Sequence, residues 1–231
     1  MPPEAAEQAL PAAVLWDMDG TLVDTEPFWI AEEHQLVERH GGTWTAEHAK
    51  ALVGTDLMVS AHYIREHGEV PLEPEEIVEV LLGGVVARMT AAVPWRPGAR
   101  ELLRDLRHAE VPCALVTMSW TSLADTFLAA CPPDTFDVVV TGDRVARGKP
   151  HADPYLQAAQ ALGVDPGRCV AIEDSNTGVT SAEAAGVPTL AVPHVVPVAA
   201  APGRSRAHSL AEVTIADLGR ISAGECIDLL P

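Results

Sequence analysis

Two aspartates one residue apart, Asp17 and Asp19, close the short apolar run Val14-Leu15-Trp16 and lead into Gly20-Thr21. Carboxylates at this spacing suit a division of labour. A carboxylate that attacks phosphorus forms an aspartyl-phosphate, an established form of covalent catalysis, and one of the pair could do so. The other, protonated, donates to the leaving alcohol and then takes a proton from the attacking water. On an extended strand end the two side chains face opposite ways, and Gly20 permits the turn that brings Asp19 back. Three further sets belong with them. Thr117 ends the run Cys113-Ala114-Leu115-Val116, with Met118 and Ser119 next; Lys149 lies in Gly148-Lys149-Pro150; Glu173 and Asp174 end Cys169-Val170-Ala171-Ile172.

In open α/β sheets, ligands bind outside the carboxyl ends of the strands. Folding therefore gathers four carboxylates, one hydroxyl and one ammonium at a common edge. Asp17, Asp19, Glu173 and Asp174 against Lys149 leave three negative charges uncompensated. A dianionic phosphate there meets a repulsion of about 4 kcal/mol per unit-charge pair at about 4 Å and intermediate dielectric. A divalent cation relieves it. Motifs that offer only oxygen, with no histidine or cysteine, point to Mg²⁺ rather than zinc. Such a cation orients and neutralises a transferring phosphoryl group.

The elements that position these residues follow from apolar spacing. The three runs above, with Val138-Val139-Val140 and Thr189-Leu190-Ala191-Val192, read as strands buried on both faces, as in a parallel sheet. Between them, Gly98 to Glu110 places Leu102, Leu103 and Leu106 on one helical face, and Pro154 to Leu162 ends at Gly163, a C-cap. The alternation predicts an α/β fold, an open parallel sheet with right-handed crossovers. Glu26 to Val93 breaks the rhythm. Leu57, Ala61 and Ile64, then Val78, Leu82, Val85 and Met89, recur at helical spacing, and no strand is visible. This stretch reads as a helical insertion hinged near Val23–Pro27 and Val93–Gly98. Ala199 to Ser209 reads as an exposed loop holding solvated Arg204 and Arg206, and the end beyond Ser222 as fraying.

Hydrophobic residues make up 48% of the 231, enough to bury a core, and aromatics only 4%, so Ala, Val and Leu fill most of it. A net charge of −18 repels a phosphate backbone, so nucleic acid is not an expected partner. Cys113, Cys131, Cys169 and Cys226 show no CxxC spacing, which argues against a disulfide framework or a zinc site. Met1 to Pro11 has no signal-peptide character, and no apolar run approaches the roughly 20 residues of a membrane span. The expectation is a cytoplasmic protein acting on a small-molecule phosphate ester, without a membrane partner, as a monomer or weak homo-oligomer.

Together these residues resemble the haloacid dehalogenase superfamily. Asp17-Met18-Asp19-Gly20-Thr21-Leu22-Val23-Asp24-Thr25-Glu26 is similar to its first motif and Thr117 to its second. Gly148-Lys149-Pro150 with Asp153-Pro154-Tyr155 is similar to the third, and Glu173-Asp174-Ser175-Asn176-Thr177-Gly178 to the fourth. The resemblance implies a Rossmann-like core over residues 1–25 and 94–231 and an all-helical cap domain over 26–93. It implies that Asp17 is the nucleophile and Asp19 the general acid and base. Mg²⁺ would be held by the Asp17 carboxylate, the Asp19 carbonyl and Asp174, with Glu173 binding directly or through water. Phosphate would be bound by Thr117, Met118, Ser119 and Lys149.

Within the superfamily the likeness is to sugar-phosphate phosphatases, phosphoglycolate phosphatases and β-phosphoglucomutases. The mutase pattern carries a histidine in the first cap helix and a basic cap loop; here Trp29 and Val53-Gly54-Thr55-Asp56-Leu57 take those places. Glu26-Pro27-Phe28-Trp29 is similar to the cap entry of hexose- and polyol-phosphate phosphatases. Glu26, Trp29, Gly54 and Thr55 are the cap residues expected at the substrate. The favoured reading is a Mg²⁺-dependent phosphomonoester hydrolase of a sugar, polyol or glycolate phosphate. A phosphosugar mutase using the same intermediate stands second and a non-catalytic binding protein on this fold third. Dehalogenation, which needs neither Mg²⁺ nor a second aspartate, stands last.

Overall fold

The structure is a computed structural model that describes residues 10–53 and 55–230. Gly54 and most of the Met1–Pro11 stretch lie outside the described residues. Six strands form one sheet in the order β3-β2-β1-β4-β5-β6, and every neighbouring pair is parallel. In chain order they are β1 (Val14–Trp16), β2 (Cys113–Val116), β3 (Val138–Val140), β4 (Val170–Glu173), β5 (Thr189–Ala191) and β6 (Ser205–Arg206). This is the open parallel α/β sheet expected from the alternation and the Rossmann-like core implied by the resemblance.

Short apolar strands buried on both faces explain the three layers. Val14 and Trp16 of β1 pack with Leu102 and Leu106 of α5 (Ala99–His108), Phe127 of α6 (Thr121–Ala129) and Leu218 of α9 (Ile215–Ser222). Leu15, pointing the other way, packs with Tyr155 and Ala158 of α7 (Asp153–Leu162) and Ala182 of α8 (Asn176–Ala184). This is the two-residue alternation of a strand sealed on both sides.

Three expectations about the C-terminal region are corrected. Ser205–Arg206, inside the stretch read as an exposed loop, is the edge strand β6; Ser205 is fully buried and pairs with Leu190. The segment past Ser222 does not fray. Arg206 donates its N–H to Ile227, Leu229 donates to Arg206, and Arg206 and Asp228 form an ion pair at 2.8 Å. Arg204 likewise pairs with Glu183 at 2.7 Å rather than standing in solvent. A two-residue strand carries no readable period, and its partners lie far along the chain.

Between β1 and α5 lie α1 (Glu26–Arg39), α2 (Ala46–Leu52), α3 (Leu57–His67) and α4 (Pro74–Ala91), with no strand among the described residues. They bury an apolar cluster of their own, including Leu36, Val37, Trp44, Ala61, Ile64, Ile77 and Val78. The last turns of α4 instead send Leu82, Val85 and Met89 into the main core, which docks the helices on the sheet domain. The two connecting segments zip together. Asp24 donates its N–H to the Pro94 carbonyl at 2.8 Å, and Arg96 donates to Leu22 at 2.9 Å. No described helix is long and apolar enough to cross a membrane.

Candidate active site

The site lies where β1, β2 and β4 end. The Asp17 N–H still donates to the Ile172 carbonyl, so the nucleophile candidate is the last sheet-bonded position of its strand. The chain then turns at once. The Met18 carbonyl accepts from Leu22 and Val23, and Gly20 adopts φ +86°. A Cβ at Gly20 would lie 2.1 Å from Asp174 Oδ2, so both backbone conformation and space require glycine there. This turn returns Asp19 to the site.

Lys149 reaches in from the segment before α7. Its buried Nζ donates to Asp17 Oδ1 at 2.7 Å, Glu173 Oε1 at 2.6 Å and the Val116 carbonyl at 2.9 Å. All three ammonium protons are therefore committed. Burial works against this charge, but Asp17 and Glu173 outweigh it and hold the Lys149 pKa above its ordinary value. Glu173 is fully buried behind Lys149 and also accepts the Tyr155 hydroxyl on Oε1 at 2.6 Å.

The remaining carboxylates hold their charge with difficulty. Burial and then Asp17 push Glu173 up to about 7. Burial, then Asp17 and Glu173, raise Asp174 well above the usual carboxylate range. Asp19 is raised by burial; the Thr25 hydroxyl pulls against this and Asp17 reinforces it. Asp17, Glu173 and Asp174 each offer an oxygen within 4.8 Å of the others, and Asp17 Oδ2 is buried with no hydrogen-bond partner. Crowded, oxygen-only and incompletely paired, this set fits a divalent cation.

Asp19 is gripped on both oxygens. Thr25 donates to Oδ1 at 2.6 Å, while Thr117 and Ser119 donate to Oδ2 at 3.1 and 2.8 Å. Met118, between them, accepts the Lys149 N–H on its sulfur at 3.1 Å. Above these groups opens a cavity of about 320 Å³.

Residues 14–192 match the haloacid dehalogenase-like hydrolase family. The chain belongs to this family. It is 34% identical over 186 residues to hexitol phosphatase A of Escherichia coli, an alignment covering 77% of this chain and 81% of the relative. It is 32% identical over 186 residues to the bifunctional riboflavin kinase/FMN phosphatase of Arabidopsis thaliana, which covers 80% of this chain but 49% of that protein. The chain thus spans about half that relative's length. Among solved structures, CbbY of Rhodobacter sphaeroides in complex with phosphate superposes with a TM-score of 0.79 at 28% identity, covering 88% of this chain and 96% of that one. The named relatives include phosphatases, and this chain is a phosphatase of the same family.

The cavity brings together most of the residues singled out from sequence. Asp17, Asp19, Thr117, Met118, Ser119, Lys149 and Asp174 line its floor, and Glu26, Trp29 and Thr55 its helical wall. Glu173 is the exception, lying behind Lys149 and outside the lining. Sequence reasoning missed Thr25, Glu33, Ser60 and His194, which also line the cavity, and gave Tyr155 no role. Glu33 had a readable signal: it lies seven residues after Glu26, two turns along the same helical face. His194 had none, because only the loop after β5 carries it there.

Proposed function

We propose that this phosphatase is a Mg²⁺-dependent phosphomonoester hydrolase of a small phosphorylated sugar or polyol, working through an aspartyl-phosphate on Asp17. The observation that carries this reading is the split environment of the Asp17 carboxylate. Oδ1 is fixed by Lys149, and Oδ2 is buried without a partner. One oxygen is thus held while the carboxylate stays available to a phosphorus atom or a cation. Beside it sits a second aspartate whose neutral form is favoured by burial.

Asp17 attacks phosphorus, the ester P–O bond breaks, and the Asp19 proton goes to the departing alkoxide. Asp19, now ionised, accepts a proton from water as that water attacks the acyl phosphate; inorganic phosphate leaves and both carboxyls return to their starting states. Thr25, Thr117 and Ser119 keep Asp19 in position throughout. Asp17 and Asp174 would hold Mg²⁺, with the Asp19 carbonyl and Glu173 as further ligands. Bound there, the ion supplies the positive charge that lets a dianion approach this acidic site. The helices over residues 26–93 act as a cap on a core of 1–25 and 94–231, excluding water from the reacting atoms.

A mutase must also hold a second phosphate. No lysine or arginine among the described residues of 26–93 lines the cavity, which favours hydrolysis. The test is phosphate release from a panel of sugar, polyol and nucleoside monophosphates with Mg²⁺ and with EDTA, without added bisphosphate. Metal-dependent release is expected. Its absence from every compound would remove the proposal.

A further inference from the structure

One face of α1 carries an unusual sequence of side chains. Glu26, Trp29 and Glu33 stand at i, i+3 and i+7 and all line the cavity. Glu33 is only 5% exposed, on a helix face otherwise committed to Leu36 and Val37. Its Oε2 accepts the Trp44 indole N–H at 3.0 Å, and no described residue bonds its Oε1. A buried carboxylate is ordinarily paired on both oxygens. Here the free oxygen belongs to a residue that lines the cavity, which is the place for a donor on the ligand.

The surroundings say which donor. Wall hydroxyls come from Thr55 and Ser60, and the one lysine lining the cavity among the described residues, Lys149, already donates to three acceptors, while His194 accepts from Arg96 on Nδ1. A second anionic group on a substrate would find no free cation and would face Glu26 and Glu33. Thr55 gives its hydroxyl proton to the Leu52 carbonyl and is bonded to Ser60, so ligand hydroxyls, donating to the glutamates and to these two hydroxyl oxygens, find partners along the wall. The Trp29 ring adds an apolar face for carbon-bound hydrogens.

Length is also set. Thr25, the residue just before α1, bonds Asp19 at 2.6 Å, so α1 starts at the phosphate end and Glu33 lies two turns further along it. Seven residues of α-helix rise about 10 Å, a distance that an extended five- or six-carbon polyol approaches from end to end and a two- or three-carbon alcohol does not.

We propose that Glu33, positioned by Trp44 and acting with Glu26, selects an uncharged polyhydroxylated leaving group of five or six carbons and rejects substrates bearing a second anionic group. This rests on the phosphatase reading above. Burial pushes both glutamates up to about 7, with Asp19 and Asp24 adding to it at Glu26 and Glu26 adding to it at Glu33. Near neutrality each therefore donates or accepts, as a hydroxyl partner requires.

The experiment is steady-state kinetics with Mg²⁺ on acetyl phosphate, sorbitol 6-phosphate, glycerol 3-phosphate, phosphoglycolate and fructose 1,6-bisphosphate. Acetyl phosphate has almost no leaving group to touch the wall, so its turnover reports the phosphatase reading alone. Sorbitol 6-phosphate should exceed glycerol 3-phosphate, phosphoglycolate and the bisphosphate in kcat/KM by about tenfold or more. Glu33→Gln, which keeps an acceptor for Trp44, should raise KM for sorbitol 6-phosphate about tenfold more than KM for acetyl phosphate. Trp44→Phe should shift the same ratio in the same direction. Competitive inhibition of wild-type acetyl phosphate turnover by sorbitol, and not by glycolate, reads the same preference without a substitution. The proposal is overturned if phosphoglycolate or the bisphosphate is the better substrate, or if Glu33→Gln raises every KM by one factor. No turnover of any compound, acetyl phosphate included, would remove the phosphatase reading and this inference with it.

Discussion

The Thr25 hydroxyl donates to Oδ1 of Asp19 at 2.6 Å, joining the residue just before α1 to the group assigned as proton carrier. Thr117 and Ser119 hold the other oxygen, so Asp19 is fixed both from the core and from the entry to the helical segment. A hydrogen bond to a carboxylate favours its ionised form. Thr25→Val removes the largest influence keeping Asp19 from rising further. Because a general acid works while protonated, the alkaline limb of the kcat/KM profile should move to higher pH. An unshifted limb would show that Asp19 is not the acid.

Asp17→Asn retains a side chain of the same shape beside Lys149, which keeps Glu173 and the Val116 carbonyl as partners. The fold should survive. Turnover should fall by about 10⁴ or more, as expected when a nucleophile is removed. Circular dichroism and phosphate release measured on one preparation separate the two effects.

Lys149→Met leaves Asp17 Oδ1 and buried Glu173 without their shared cation. Breaking a buried pair costs about 3–5 kcal/mol, a fall in Tm on the order of 10 °C for a chain of this length. Part of that loss should return on adding Mg²⁺, which supplies positive charge to the same carboxylates. A variant as stable as wild type without metal would contradict the pairing.

Glu33 sits at about 7 in the folded chain against an ordinary 4.5. Between these values the folded state keeps a proton that the unfolded state has lost, so its contribution to stability falls as pH rises from about 4.5 to 7 and then levels off. The shift corresponds to at most about 3 kcal/mol. Glu33→Gln cannot ionise and escapes this loss. Its Tm relative to wild type should climb between pH 5 and pH 8; a constant difference would show that Glu33 titrates normally.

Much of the site was legible because its signals are local. An apolar run followed at once by a polar residue marks a buried strand and its carboxyl end, and this placed Asp17, Thr117, Glu173 and Asp174 at one sheet edge. The helical spacing between Glu26 and Val93 was equally readable. What escaped was set by distant partners. β6 exists because Leu190 meets Ser205, and Tyr155 matters because its hydroxyl finds Glu173. Glu33 looked like one acidic residue among many on a solvated helix until Trp44 and the cavity enclosed it.

By itself, then, the sequence determined which chemistry was present: the carboxylates, the lysine and the short strands that end in them. Periodicity and residue type are written into neighbouring positions. Only the tertiary structure decided how each oxygen of Asp17 is used and which wall faces the leaving group. Lys149 meets Asp17 across 132 residues and Thr117 meets Asp19 across 98. Contacts at such separation have no local signature; they arise when the sheet closes and burial makes every unpaired charge costly.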